Sequence, residues 1–293
     1  MTRFSPSESA LQGFRLVKDR PGTVLAWSIF YFLGIMVMAV VMVLGLGPGF
    51  IRFVQQGGMK SGDLGAYGSV LQHSWPAFVL ILLIAVFVLS VLTASIYRMV
   101  LRPEEKGIAH MRIGADELRL TVVNVVLFTI GMVSLIVVKL FADAVGGLLG
   151  VVAGLILAGF VIWGGVRLLM ATPMTFAEHR IAILASWRLT HGHFWSLLGM
   201  SGLAIIFYFM VWVLFTVVGY IFIALAGGQE AMAHPMSMGP VALFAFAVTL
   251  LVQLLLPTLQ VVMIYSPLAE AYRELRDETA EAAASLHSKP APT

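Results

Sequence analysis

The side chains that could do chemistry in this chain lie mainly in two polar segments. One segment holds Glu178, His179, His191 and His193, and imidazole and carboxylate groups are ligands of Zn²⁺. Their spacing matches no metal-binding signature, so we predict no metal site. An enzyme that uses these histidines to act on lipid headgroups is the least favoured hypothesis for function.

The other polar segment mixes four carboxylates with three cations. Neighbouring carboxylates can act as general acid and base. Here each has a basic neighbour, which favours a solvated surface crossed by salt bridges. The residues are Glu104, Glu105, Asp116 and Glu117, interleaved with Lys106, Arg112 and Arg119. We therefore predict no catalytic residue in this segment.

The apolar segments of the chain lack an ionisable residue at their centres. Lys139 and Arg167 lie near segment ends, where long side chains can reach the membrane surface. A proton-driven transporter or an intramembrane protease needs deeper ionisable groups. The chain also has no cysteine, which excludes disulfides and cysteine nucleophiles. The residue inventory thus predicts neither a catalytic site nor a cofactor.

Three amide side chains are the main polar groups inside these segments. Asn124 lies in the third segment, and Gln253 and Gln260 lie in the sixth with Pro257 between them. Residues seven apart share nearly the same helix face, although a proline between them bends the helix. We expect the three amides to form hydrogen bonds between helices. The alternative is that they line a path for an amphiphile.

Six long apolar segments define the fold class, because each reaches the roughly 20 residues that a helix needs to cross a membrane. Only 11% of the 293 residues are charged, whereas soluble domains carry roughly 25%. We predict an all-α, polytopic integral membrane protein with one domain at residues 1–276 and a disordered cytoplasmic tail at 277–293. The spans lie at about 23–47, 77–97, 120–141, 145–170, 195–226 and 241–265.

The positive charges predict the orientation of the spans. With the amino terminus in the cytoplasm, all but Arg52, Lys60 and Lys139 of the 18 Lys and Arg residues fall on the cytoplasmic side. Because these cations are divided among short segments, they indicate topology rather than nucleic-acid binding. We expect both termini in the cytoplasm. The first span should remain as an anchor, since residues 1–20 do not resemble a cleaved signal peptide.

The polar segments before spans one, three and five resemble one another. Each places an arginine between a large apolar residue and an aliphatic one, and each even-numbered span closes near a proline. The arginines are Arg15, Arg112 and Arg188, and the prolines are Pro103, Pro173 and Pro267. The pattern predicts short interfacial helices and a three-fold repeat of a two-span unit. Convergence at the membrane face, and packing of the short helices on the bundle, are the alternatives.

A row of glycines runs along span four. Gly146, Gly150 and Gly154 are four residues apart, so they share a face that lets another backbone approach closely. We predict helix packing through this face, either within the chain or with a second copy. The alternative is a lateral crevice for a lipid chain.

Three segments resemble a bacterial membrane-protein family. Residues 186–195 read Ser-Trp-Arg-Leu-Thr-His-Gly-His-Phe-Trp, residues 14–16 read Phe-Arg-Leu, and residues 111–119 read Met-Arg-Ile-Gly-Ala-Asp-Glu-Leu-Arg. They resemble the six-span domain found beside some glycerophosphoryl diester phosphodiesterases and the YciC-like proteins. The resemblance implies a protein of the bacterial inner membrane. It transfers no catalytic residue, because this sequence has no counterpart of the phosphodiesterase domain.

These features favour a non-enzymatic inner-membrane module that binds lipid or a partner protein. The expected partners are membrane lipids, with a protein partner or a second copy of the chain as further candidates, and no nucleic acid. The alternative is a transporter or permease for an amphiphilic or lipid-like substrate.

Overall fold

A computed structural model describes residues 6–55, 64–105, 107–225, 227–228 and 239–287. Arg3, Lys60, Lys106 and Lys289, which enter the predicted topology, lie outside these residues, as does the end of the predicted tail at 288–293. Over the described ranges the chain is α-helical and forms no β-strand.

The described residues form ten α-helices and one 3₁₀ turn. In chain order these are α1 (Pro6–Ala10), α2 (Gln12–Asp19), α3 (Pro21–Gln55), α4 (Leu64–Leu101), the 3₁₀ turn (Ile108–His110), α5 (Ala115–Val145), α6 (Gly147–Leu168), α7 (Ala171–Glu178), α8 (Ile183–Leu189), α9 (Phe194–Leu225) and α10 (Pro240–His287).

Six helical segments among the described residues are long and apolar enough to cross a membrane, which confirms the predicted fold class. Each span predicted from the sequence overlaps one of them. The segments are Pro21–Gly45, Ser74–Leu101, Ala115–Val145, Gly147–Glu178, Phe194–Leu225 and Pro240–Thr279.

The carboxyl-terminal helix departs most from the sequence prediction. Instead of ending near Pro267 and giving way to a disordered tail at 277, α10 continues through Pro257 and Pro267 to His287. A proline removes one helical hydrogen bond, but tertiary packing can hold the helix together. Here Leu268 and Ala271, just after Pro267, are buried in the core. Helix, rather than disorder, therefore extends over residues 277–287.

Consecutive spans pack as pairs, α3 with α4, α5 with α6, and α9 with α10. Helix α10 also packs against α2, α3 and α4, so it lies at the centre of the bundle. The three pairs fit the predicted two-span unit, but the segments that precede them differ. Helices α1 and α2 precede the first pair and α8 precedes the third, whereas only the 3₁₀ turn precedes the second.

The first two short helices pack on the bundle, as one of the alternatives anticipated. Ser9 of α1 donates a hydrogen bond to Glu274 of α10 at 3.3 Å. A Cβ added to Gly13 of α2 would lie 2.9 Å from Sδ of Met263, so α2 and α10 approach each other closely. The amino-terminal helices are therefore fixed to the central helix.

A buried ion pair joins α4 to α5. Arg98 donates from Nη2 to Oε1 of Glu117 and from Nη1 to the carbonyl oxygen of His110, each at 2.6 Å. The two residues are only 3% and 2% exposed, and Phe176 of α7 packs 5.4 Å from the guanidinium. Salt bridges therefore cross the polar segment between α4 and α5, as predicted. Glu117 is not solvated, however, because α5 and α7 pack together around it.

The turn between α4 and α5 accepts hydrogen bonds from Trp27 of α3 and from Arg98 of α4. The indole of Trp27 in α3 is fully buried and donates Nε1–H to the carbonyl oxygen of Ala109 at 2.9 Å. Burial, together with the cations Arg20 and Arg98, lowers the pKa of His110 and so favours its neutral form. The turn therefore ties α3, α4 and α5 together at one end of the bundle.

Replacing Glu117 by Ala should lower the unfolding temperature markedly, because Arg98 would stay buried with only the longer, more exposed contact to Glu105 at 3.3 Å. Removing one member of a buried ion pair costs about 3–5 kcal/mol. Tryptophan fluorescence during heating in detergent would measure the change. Asp143→Ala is the matched control, since Asp143 forms an exposed pair with Lys139 and should matter little. Equal shifts in the two variants would contradict this role for Glu117.

Candidate functional site

The glycine row of α6 packs against α5 of the same chain. Gly146 is the single residue between the two helices and has φ of +69°, so it forms the turn rather than part of the packing face. A Cβ added to Gly150 would overlap the carbonyl oxygen of Ala142, and one added to Gly154 would lie 3.1 Å from Cβ of Ala142. The predicted close approach therefore occurs at Gly150 and Gly154, with a partner in the same chain.

Farther from this turn, α5 and α6 border a crevice of about 790 Å³, with α4 and α10 as its other walls. Most of the lining side chains are aliphatic or aromatic. Three glycines also line it, Gly131, Gly164 and Gly165, and a Cβ added at any of them would meet nothing within 4 Å. The crevice therefore exists where these glycines leave space that larger side chains would fill.

The crevice opens on the outer surface of the membrane-spanning region. Val133 of α5 and Phe160 of α6 both line it, and they are 54% and 66% exposed. Side chains of this kind on a spanning helix face hydrocarbon rather than water. A lipid chain can therefore reach the crevice from the side.

Two of the polar groups in its walls, Asn124 and Thr172, are hydrogen-bonded to α4. Asn124 donates from Nδ2 to Oγ of Ser90 in α4 at 2.8 Å, and Ser90 in turn donates to the carbonyl oxygen of Val86. Thr172 and the hydroxyl of Tyr97 form a buried hydrogen bond of 2.6 Å. These bonds hold the walls together and leave the interior apolar.

The three amides predicted from the sequence lie in three separate places. Asn124 is in the crevice wall, whereas Gln253 lies in another groove, with Tyr31 of α3. Gln260 accepts a hydrogen bond from the hydroxyl of Tyr208 in α9 at 3.3 Å. The structure therefore does not bring the three amides together in one pocket, and their role in a transport path stays a prediction.

The three predicted interfacial arginines are exposed but not structurally equivalent. Arg15 lies in α2 and Arg188 in α8, while Arg112 lies in a non-helical segment 3.6 Å from Glu105. Helix α8 has the exposed apolar face of an interfacial helix, with Leu184 84% exposed, and Phe14 of α2 is 36% exposed. The second unit thus departs from the predicted repeat.

The histidines of the polar segment do not converge. His179 pairs through Nδ1 with Oδ1 of Asp116 at 2.7 Å, and His193 pairs with Glu278 at 3.6 Å. No group of three metal-binding side chains occurs among the residues that the structure describes. These side chains link neighbouring segments of the bundle instead.

Sequence reasoning missed the surroundings of Arg167, which lies beside one end of the crevice. The sequence suggests a side chain that reaches the membrane surface, whereas in the structure its guanidinium packs against both Trp163 and Trp187. The local signal was Trp163, one helical turn before Arg167. Trp187 comes from α8, and no sequence pattern indicates that contact.

Comparisons of the chain with protein-family models, curated proteins and solved structures found no match. The family resemblance noted from the sequence therefore stays a prediction. Function has to be inferred from the geometry of the crevice.

Replacing Gly150 by Val should destabilise the α5–α6 pair, because the added side chain would collide with the Ala142 carbonyl. Overpacking of this kind costs about 1–3 kcal/mol. The unfolding temperature in detergent would measure the loss. Gly159→Val is the control, since a Cβ there meets nothing within 4 Å. If both variants unfold alike, Gly150 is not a packing position.

Proposed function

We propose that this protein is a non-enzymatic module of the bacterial inner membrane that binds a membrane lipid, one acyl chain of which lies in the crevice between α4, α5, α6 and α10. The crevice itself carries the proposal. It is apolar, it opens toward hydrocarbon, and glycines keep it empty of side chains.

The dimensions of the crevice fit one acyl chain. Along α6 it runs from Leu157 to Leu168, which is about 16 Å at 1.5 Å per residue. The hydrocarbon core is about 30 Å thick, so the crevice is about as deep as one leaflet. Its volume of about 790 Å³ lies within the range of roughly 300–1,000 Å³ typical of ligand pockets.

Lipid is the occupant that the surroundings supply. Water does not fill an apolar cavity, because it would lose hydrogen bonds there. A neighbouring acyl chain can enter from the side and restore the dispersion contacts that an empty wall lacks. Since Asn124 and Thr172 are engaged with α4, the crevice favours binding over chemistry.

The proposed location and orientation rest on the positive charges and on the family resemblance. The number of candidate spans is even, which supports both ends of the chain on the same side, and the distribution of Lys and Arg favours the cytoplasm for that side. The end of the bundle that contains the Arg98–Glu117 pair is then cytoplasmic.

Replacing Gly164 by Leu should remove the bound lipid, because Gly164 lines the crevice and has open space at its Cβ position, so the larger side chain would extend into the crevice. Lipid retained by the protein in mild detergent would be counted by native mass spectrometry. Gly202→Leu in α9 is the matched control. A Cβ at Gly202 also meets nothing within 4 Å, but Gly202 does not line the crevice.

We expect the Gly202 variant to retain lipid like the unmodified protein. Equal lipid retention in the Gly164 variant would overturn the proposed function. A parallel unfolding measurement on both variants would establish that the comparison is between folded proteins.

Single cysteines can test the orientation, since the chain contains none of its own. Asp143→Cys, near the turn between α5 and α6, should react with an impermeant maleimide in intact cells. Glu104→Cys, between α4 and α5, should react only after permeabilisation. The reverse pattern would show that the proposed orientation is inverted.

A further inference from the structure

Arg167 lies at the end of α6 and packs against two tryptophans that also contact each other. Its guanidinium carbon is 5.5 Å from the ring centroid of Trp163 and 5.9 Å from that of Trp187. The two indoles meet edge to face with their centroids 5.1 Å apart. Trp163 belongs to α6 and Trp187 to α8, so this aromatic cluster brings the two helices together around a cation.

The backbone fixes the geometry of the cluster. The carbonyl oxygen of Arg167 accepts hydrogen bonds from Oγ of Ser186 at 2.7 Å and from Oγ1 of Thr190 at 3.3 Å. Both donors belong to the α8 segment, so α8 is held against the end of α6. The position of Trp187 relative to Arg167 is therefore set by the fold.

The Arg167 side chain has donors that lack an acceptor. Its Nε and Nη1 atoms are buried and have no hydrogen-bond partner. No carboxylate in the described part of the chain forms an ion pair with it. Buried cationic donors without acceptors are unfavourable. A guanidinium binds phosphate and carboxylate oxygens in matching bidentate geometry, and in a lipid membrane phosphate is the abundant one of the two.

The Arg167 guanidinium lies beside one end of the crevice. Arg167 is not itself a lining residue, but its guanidinium packs against Trp187, which lines the crevice together with Gly164 and Leu168 of the end of α6. Tryptophans are enriched at the level of lipid headgroups. A cation at that level, followed by an apolar slot that reaches Leu157, matches the charge and shape of a phospholipid.

We propose that Arg167, positioned by Trp163 and Trp187, binds the phosphate of an anionic phospholipid whose acyl chain lies in the crevice. This inference rests on the proposed function, because the same lipid fills the crevice. It adds the chemical class of the lipid and identifies the group that selects it.

Lipid competition on the purified full-length protein can test this assignment. Phosphatidylglycerol and diacylglycerol with identical acyl chains would be supplied in equal amounts, and bound lipid would be read by native mass spectrometry. We expect the unmodified protein to favour phosphatidylglycerol by about tenfold, which corresponds to about 1.4 kcal/mol. Equal binding of the two lipids would overturn the inference, whatever the behaviour of any variant.

Arg167→Gln should lose this preference and still bind diacylglycerol, because the crevice is unchanged. Arg180→Gln is the matched control, since Arg180 is exposed and pairs with Glu178, and it should keep the preference. An unchanged preference in the Arg167 variant would also overturn the inference.

The Gly164→Leu variant separates this inference from the proposed function. Loss of both lipids in that variant, together with loss of the preference alone in Arg167→Gln, would support both. If Gly164→Leu retains both lipids, the crevice does not hold the chain, and the proposed function fails along with this assignment. If Gly164→Leu loses both lipids but Arg167→Gln keeps the preference for phosphatidylglycerol, the crevice still holds the acyl chain and only the assignment of Arg167 to the phosphate fails.

Discussion

The arrangement of the helices depends on the buried ion pair between Arg98 and Glu117. It joins α4 to α5 at the end of the bundle where Trp27, Tyr97 and Phe176 are also fully buried. A buried pair adds little net stability over apolar residues, but an arrangement that separates the two charges is strongly penalised. The pair therefore restricts how α4 and α5 can be placed, and the other helices pack around that placement.

The crevice follows from packing that is fixed at both ends of the α5–α6 pair. At one end Gly150 holds the two helices in close contact through Ala142. At the other, Glu117 fixes the start of α5 to α4, and Ser186 bonds to the end of α6. Between these points Gly131 and Gly164 offer no side chain to fill the space. The opening is thus a product of well-packed ends rather than of a loose bundle.

The six spans could be predicted because each is a long apolar segment, and that signal is local. The two partners of Arg98 could not, since Glu104, Glu105, Asp116 and Glu117 look alike in the sequence, and only the turn geometry brings Glu117 and Glu105 to the guanidinium. The surroundings of the individual glycines could not be predicted either. Gly150 faces a carbonyl oxygen and Gly164 faces open space, although both lie in one helix with apolar neighbours. Such differences depend on contacts between distant segments.

The helices on either side of Gly146 differ in length, with 31 residues in α5 and 22 in α6. At 1.5 Å per residue, α6 is about 33 Å long and α5 about 46 Å, whereas the hydrocarbon core is about 30 Å thick. Because the two helices share the turn at one end, the extra length of α5 emerges at the other. Glu117 is carried on those extra turns. With the turn at Gly146 at one face of the bilayer, Glu117 lies beyond the length needed to cross the hydrocarbon, so insertion of the chain does not require this carboxyl group to leave the polar region.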